Sequence, residues 1–244
     1  MTKDSLFDGN LVCYQRRDGY RFSVDAVLLV HFCLNWQDAT ILDLGCGCGI
    51  LSLIFLYRRQ EKIKKIEGLE YQYGLAEAAR RNASANNYGD IFRITRGDLK
   101  EVGRLYRAES FTHVICNPPF FSVGRGRVNA EEEKYLARHQ AAANLDDIVS
   151  SAFYVLKNKG IFGLIFPADA LPTLLQRLLG RRMQPKRMRL VYSYPEASSA
   201  SLVMVESVKN GGEGCTVLPP LYVYTCKSGE YTQEVKKMYR TRSS

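Results

Sequence analysis

The sequence predicts an α/β fold, and three observations carry that prediction. Short apolar segments alternate with amphipathic ones from about residue 40 onward, which is the order of a parallel sheet with crossover helices. A glycine-rich turn follows the first apolar segment, and polar residues follow the later ones. At 244 residues, the chain is long enough to bury the core of one such domain.

The first half of the domain supplies four strands and two helices. The strands are expected at residues 40–44, 63–70, 91–95 and 111–116. Helices are expected between them, from residue 49 to 57 and from 73 to 86. Apolar runs of this length are typical of strands that are buried on both faces.

In the second half, helical periodicity is clearest over residues 145–156, with Asn144 as the expected N-cap. A second apolar stripe at helical spacing ends at Gly180. Strands are expected at residues 160–166, 188–194, 200–208 and 221–226, and the middle two read as an antiparallel pair. The whole is a Rossmann-like, seven-stranded, mostly parallel sheet with helices on both faces and an antiparallel C-terminal strand pair.

The predicted domain covers residues 40–244, and residues 1–39 form an N-terminal extension. Residues 122–138 contain two glycines, three consecutive glutamates and several arginines, which predicts a mobile loop beside the site.

Composition favours an ordinary globular protein, with 46% hydrophobic and 24% charged residues. No apolar run approaches the ~20 residues of a membrane span, and the N-terminus lacks the apolar core of a signal peptide, so the cytoplasm is the expected location. Seven cysteines without a Cys-x-x-Cys pair favour free thiols over disulfides or a metal site, and no metal is expected.

The net charge is +9 and the pI is about 9.2. A basic surplus favours polyanionic partners such as RNA. The positive residues fall in separate short patches, and each patch taken alone is best explained as a solvated surface.

The glycine turn runs from Asp43 to Gly49 and reads G-x-G-x-G, with Gly45, Gly47 and Gly49 as its glycines. The dinucleotide fingerprint is G-x-G-x-x-G, which this spacing does not match. Glycines here let the backbone approach a ligand at a helix N-terminus. An acid before the first glycine repels a pyrophosphate but can hold an ammonium group, which suits an adenosyl ligand that carries an amino acid moiety.

Two further acids end or follow the next predicted strands. Glu70 can accept both hydroxyls of a ribose. Asp98 can accept from an adenine amino group, although a turn acid or helix cap is the alternative for either residue. Because ligands of parallel sheets bind beyond the carboxyl ends of the strands, these acids and the glycine turn are expected to share one site.

The fourth strand is followed by Asn117-Pro118-Pro119-Phe120. Two consecutive prolines make a stiff turn, because each ring fixes φ and neither nitrogen can donate. The amide at one end and the aromatic ring at the other suit a planar group with an exocyclic NH2, since the Asn117 amide and a proline carbonyl can accept its two N–H bonds while Phe120 stacks on its face.

These motifs resemble those of class I S-adenosylmethionine-dependent methyltransferases that act on amino nitrogens. The stretch from Gly19 to Leu29 is more specifically similar to the N-terminal motif of the bacterial tRNA(Val) adenine-N6 methyltransferase family, as are Asn117 to Phe121, Gly124 and the Ala137-Arg138-His139 run. Phe120 stands where many relatives carry tyrosine.

This resemblance implies S-adenosylmethionine as the cofactor and RNA, most favourably tRNA, as the partner. It also implies that Ser23 and Asp25 lie near the methionine end of the cofactor and that the N-terminal extension packs on the cofactor site. The alternative for Ser23 or Asp25 is a cap on the following helix.

Other functions stay open from the sequence. Methylation of guanine N2 in ribosomal RNA or of a glutamine side chain in a release factor uses the same turn. A DNA adenine methyltransferase is less favoured because no large target-reading region is present. A nicotinamide-dependent oxidoreductase is also less favoured, because the glycine spacing differs from the dinucleotide fingerprint. A catalytically silent RNA-binding relative would be expected to lack Asn117 or the glycines, and both are present.

Overall fold

The computed structural model describes residues 2–15, 24–118 and 145–241. The strands are β1 (Thr2–Leu6), β2 (Leu11–Gln15), β3 (Ala39–Leu44), β4 (Ile63–Glu70), β5 (Phe92–Arg96), β6 (Phe111–Cys116), β7 (Leu156–Pro167), β8 (Met183–Tyr192), β9 (Leu202–Lys209), β10 (Thr216–Val217) and β11 (Leu221–Tyr222). The helices are α1 (Val24–Phe32), α2 (Ile50–Arg59), α3 (Tyr73–Ala85), α4 (Val102–Leu105), α5 (residues 145–155), α6 (Leu171–Gly180) and α7 (Gln233–Met238).

The central sheet has nine strands in the order β10-β8-β9-β7-β6-β3-β4-β5, with β11 also paired to β8. Within this sheet β9 alone runs antiparallel to its neighbours. The chain runs outward from β3 through β4 to β5 and then returns to β6 on the other side of β3. Strand order therefore reverses between β3 and β6, and a ligand of such a sheet binds at that point.

Alternation along the strands divides the core into two apolar layers. In β3, Ile41 packs in one layer while Leu42 and Leu44 pack in the other. The first layer contains α1, α2 and α7, and the second contains α4, α5 and α6. Successive side chains of a strand point to opposite faces, so a sheet of doubly buried strands needs helices on both sides.

The predicted fold class is confirmed, including the antiparallel pair formed by β8 and β9. Two details differ from expectation. The sheet gains the two-residue strand β10, and the strand expected over residues 221–226 is β11, which ends at Tyr222. It ends early because Tyr224 pairs antiparallel with Tyr231, so the chain turns back there.

The N-terminal residues form a hairpin in which β1 pairs antiparallel with β2. Side chains of α3 hold it: Asn86 accepts from the Val12 amide at 2.9 Å and Asn82 accepts from the Tyr14 amide at 2.7 Å. Asn82 also donates to the Cys48 carbonyl at 2.9 Å. The buried side-chain amide of Asn82 therefore joins the hairpin, α3 and the glycine turn.

Some expected features lie outside the described residues, namely Ser23, Pro119, Phe120, the Asn144 cap and the loop at residues 122–138. In the described ranges, no helix combines the length and the apolar character that crossing a membrane requires. All seven cysteines are free thiols.

Candidate active site

The glycine turn between β3 and α2 brings backbone amides to the edge of the sheet. Gly45, Gly47 and Gly49 all have positive φ, at 69°, 58° and 85°. A Cβ at Gly47 would meet no atom within 4 Å, so that side of the turn is open to a ligand. A Cβ at Gly49 would lie 2.8 Å from Phe92 Cε1, so packing as well as φ requires glycine there.

Asp43, near the end of β3, is fully buried. Its Oδ2 accepts from the Ser52 hydroxyl at 2.7 Å, and its Oδ1 has no hydrogen-bond partner among the described residues. The pKa of Asp43 is raised to about 7, mainly by burial and to a smaller extent by the charge of Glu70, against the opposing effect of the Ser52 hydrogen bonds. The free oxygen suits a cationic or N–H donor from a ligand.

Glu70 is the last residue of β4, and its side chain stabilises the glycine turn through a hydrogen bond. Its Oε2 accepts from the Gly47 amide at 2.9 Å and its Oε1 from the Gln72 amide at 2.7 Å. Each carboxylate oxygen retains a second acceptor site, so both can also accept ribose hydroxyls. The next residue, Tyr71, is 69% exposed. Its ring is a candidate cover for an adenine face that the sequence analysis missed, although an aromatic residue directly after the strand-end acid was the available signal.

Asp98 follows β5 and is half-buried. Its Oδ1 accepts from the Lys100 amide at 2.9 Å and caps the short 3-10 turn Leu99–Glu101. The capping alternative is therefore present in the structure. It occupies one acceptor position of the carboxylate, so it is compatible with an additional hydrogen bond to a ligand.

Asn117 stands directly after β6, across the switch point from Asp43. The register pairs Asp43 of β3 with Ile115, two residues before Asn117. The Asn117 Oδ1 is buried and lacks a hydrogen-bond partner among the described residues. A buried acceptor without a donor is costly, so this oxygen is available to an incoming N–H group. Pro118 is buried beside it.

Asp25 lies in the first turn of α1, and α1 packs on α7 through a 3.0 Å contact between His31 Nε2 and the Met238 carbonyl. The first-turn position agrees with the helix-cap alternative.

Histidine does not supply a general base in the described part of the site. His113 is buried in β6, bonds to the Thr112 hydroxyl at 2.8 Å and packs on the Trp36 ring at 4.5 Å. Burial lowers the pKa of His113 to about 4. His113 is thus a core residue, and His139 lies outside the described residues.

The residues present fit S-adenosylmethionine. Asp43 offers a carboxylate oxygen for its ammonium group, Glu70 offers acceptors for its ribose, and the Gly47 side of the turn is open. In residues 2–15, 24–118 and 145–241, no group of three or more His, Cys, Asp or Glu side chains is arranged to hold a metal ion.

Comparisons with known proteins agree with this arrangement. The family model described as methyltransferase small domain matches residues 23–168. A Shewanella halifaxensis protein named tRNA1(Val) (adenine(37)-N6)-methyltransferase is 31% identical over 163 residues, which cover 67% of this chain and 64% of the relative, so the alignment spans a little under two thirds of that protein. A Shewanella baltica protein of the same name is 24% identical over 91% of both chains.

Among solved structures, a predicted O-methyltransferase from Agrobacterium tumefaciens superposes with a TM-score of 0.69 at 21% identity, covering 90% of this chain and 97% of that one. This likeness concerns the fold. The fold and the family match confirm the resemblance to methyltransferases that the sequence predicts. The match covers more than half of the sequence, and the chain belongs to the methyltransferase small domain family.

Proposed function

We propose that this protein transfers a methyl group from S-adenosylmethionine to an exocyclic amine, namely adenine N6 in the anticodon loop of tRNA(Val). The observation that carries the proposal is the buried Oδ1 of Asn117 at the switch point of the sheet, which has no hydrogen-bond partner among the described residues. An acceptor in that position suits an N–H group that arrives with the substrate.

The contribution of the protein to this reaction is to align the amine of the substrate with the methyl group of the cofactor. S-adenosylmethionine supplies an activated methyl group when bound. Asn117 Oδ1 and the Pro118 carbonyl accept the two N–H bonds of the amine, which directs the nitrogen lone pair toward the methyl group. No group of shifted pKa is needed to remove a proton beforehand, in agreement with the buried, structural state of His113. Phe120 stacks on the base in this proposal, with Pro119 holding the turn.

The cofactor is held by residues on the other side of the switch point. Asp43 Oδ1 takes the ammonium group, Glu70 the ribose hydroxyls and Asp98 the adenine amino group. Amides of the glycine turn at Gly45, Gly47 and Gly49 line the same pocket. Ser23 and Asp25 complete it near the methionine end, with residues 1–39 packed over the site and residues 40–244 forming the methyltransferase domain.

Support for a tRNA substrate comes from the names of the relatives and from the charge of +9. A base inside a duplex cannot reach a buried amide, so the target has to be unpaired or flipped out, as in an anticodon loop. The cytoplasm is the location that this substrate implies.

The test is substrate identification. The protein is incubated with labelled S-adenosylmethionine and, separately, bulk tRNA, ribosomal RNA or release factor, and the modified residue is located by mass spectrometry. We expect N6-methyladenine in tRNA. Label on guanine N2 of ribosomal RNA or on a glutamine would overturn the proposed substrate, and no label in any arm would indicate a catalytically silent relative. The Asn117→Ala variant serves as the control for contaminating activity.

A further inference from the structure

A stack of tyrosine rings stands beyond the C-terminal end of β8. Tyr224 and Tyr231 face each other in a hairpin, with ring centroids 5.3 Å apart and planes 17° apart. Tyr239, after α7, continues the stack at 5.6 Å and 8°. Hydrogen bonds from Thr225 to Glu230 and from Thr232 to Val223 fix the hairpin, at 2.9 and 3.0 Å. We call these three residues the tyrosine stack.

The tyrosine stack lies at the same edge of the sheet as Asn117. The hairpin continues from β8 through the bonds of the Val223 and Tyr224 amides to the Tyr192 and Ser193 carbonyls, at 2.9 and 2.8 Å. Since β7 is parallel to β6, and β9 is antiparallel to both β7 and β8, the ends of β8 and β6 point the same way. The strand that leads into the hairpin is β11, on the far side of β8, so four strand spacings separate it from β6, roughly 19 Å.

Tyr224 and Tyr239 are the two ends of the stack, and all three tyrosines pack partly against the core. Tyr231 has a ring on each face, whereas the outer face of Tyr224 meets no further ring among the described residues. Tyr224 is only half-buried, and the hairpin tip next to it, residues 225–228, is exposed. The charge of Asp25 contributes to raising the pKa of both Tyr224 and Tyr239, which indicates that the stack and the proposed cofactor residue Asp25 are close to each other.

The stack is flanked by positive charge. Glu230 pairs with Lys236 at 2.5 Å, and Glu234 pairs with Arg189 at 2.6 Å. Lys227, Lys237 and Arg240 are exposed and have no acidic partner in the described part of the chain. We call these three residues the basic rim. Aromatic faces beside unpaired cations are the combination that binds single-stranded nucleic acid.

We infer that Tyr224, presented by the stack and flanked by the basic rim, stacks with an unpaired base of the substrate RNA loop several nucleotides away from the base that is methylated. The separation of about 19 Å corresponds to about five or six base steps of about 3.4 Å, so one anticodon loop can reach both places. This inference rests on the proposed function. Tyr231 and Tyr239 act as positioning residues that hold the Tyr224 ring.

If these tyrosines had a purely structural role, their substitution would lower the stability of the protein without changing its affinity for RNA. The test is fluorescence anisotropy with a labelled tRNA(Val) anticodon stem-loop and with a duplex of the same stem without the loop. For Tyr224→Leu we expect loop affinity to fall about 5- to 100-fold, with KM raised, and kcat and cofactor affinity unchanged. Tyr224→Phe keeps the ring and should bind within about twofold of the parent protein.

Tyr154→Leu is the matched control, since Tyr154 is an exposed tyrosine on α5, which packs in the other helical layer. It should leave RNA affinity unchanged. The inference is overturned if Tyr224→Leu binds the loop normally, if Tyr224→Phe is as weak as Tyr224→Leu, or if the duplex binds as well as the loop.

A second variant tests the inference independently, in case Tyr224→Leu does not fold. The triple variant Lys227→Ala, Lys237→Ala, Arg240→Ala changes exposed side chains only, and each loss should lower the slope of log affinity against log salt by about 0.7. An unchanged slope would also overturn the inference. If the parent protein neither binds nor methylates RNA, the proposed function itself fails, whereas normal methylation with no effect of these variants removes only the role of the tyrosine stack.

Discussion

The two sides of the switch point are built differently. On the side of β3, β4 and β5, each acid accepts a hydrogen bond from the protein itself, Asp43 from Ser52, Glu70 from Gly47 and Asp98 from Lys100. Asp43 Oδ1 is the exception, with no hydrogen-bond partner among the described residues. On the side of β6 and β8, Asn117 Oδ1 has no hydrogen-bond partner in the described chain and the rings of the tyrosine stack are half-buried. In the proposed function, the first side is a preorganised pocket for the cofactor, and the second side leaves its groups for a substrate that binds and is released.

The sharpest test of this contrast is Asn117→Ala. It should lower the rate of methyl transfer about 100- to 1,000-fold, because one acceptor that orients the amine is lost, while S-adenosylmethionine affinity stays within about twofold. Single-turnover kinetics and calorimetry measure the two quantities. Asn158→Ala, an exposed residue at the start of β7, is the control. Full activity of Asn117→Ala would remove Asn117 from the reaction.

Gly49→Ala tests whether the glycine turn on the cofactor side requires glycine at this position. The substitution places a side chain at φ 85° and 2.8 Å from Phe92, and should cost about 2–4 kcal/mol of unfolding free energy. Urea denaturation gives the value. Gly89→Ala is the matched control, because a Cβ there meets no atom within 4 Å. Equal stability of the two variants would show that the turn tolerates a side chain.

Glu70→Ala should weaken S-adenosylmethionine binding about 10- to 100-fold, since a charged acceptor is worth about 1.5–3 kcal/mol. Calorimetry measures the affinity directly. Glu77→Ala, on α3 and paired with Arg80, removes a carboxylate from the same region and should have no effect. An unchanged affinity in Glu70→Ala would exclude Glu70 from the pocket.

The smallest effect expected is on pH dependence. The pKa of Asp43 is about 7 in the folded protein and near 3.8 in the unfolded chain, so the folded state holds the proton more tightly. The contribution of Asp43 to stability should therefore be highest at low pH and fall as pH rises toward 7, by about 2 kcal/mol between pH 5.5 and 7. Urea midpoints measured across this range should fall less in Asp43→Asn. A parallel pH dependence in both proteins would contradict the buried state of this carboxyl.

The same contrast explains what the sequence could predict. The strands and their terminal acids are local features, because a buried parallel strand is an apolar run and its last polar residue is adjacent to it. The tyrosine stack was missed because residues 224, 231 and 239 meet only after the chain turns back at Tyr224. The hairpin β1–β2 was missed because its first strand is largely polar, and Asn82 because its role depends on two distant segments. The roles of the individual site residues stay predictions.

The buried amide of Asn82 also sets an order of events during synthesis. The N-terminal hairpin is bonded to side chains that lie 68 and 74 positions later in the chain. At a translation rate of about 5–20 residues per second, these side chains follow the hairpin by roughly 4–15 s. The two strands of the hairpin must therefore wait for α3 before they can dock, and a chaperone has that interval in which to bind them.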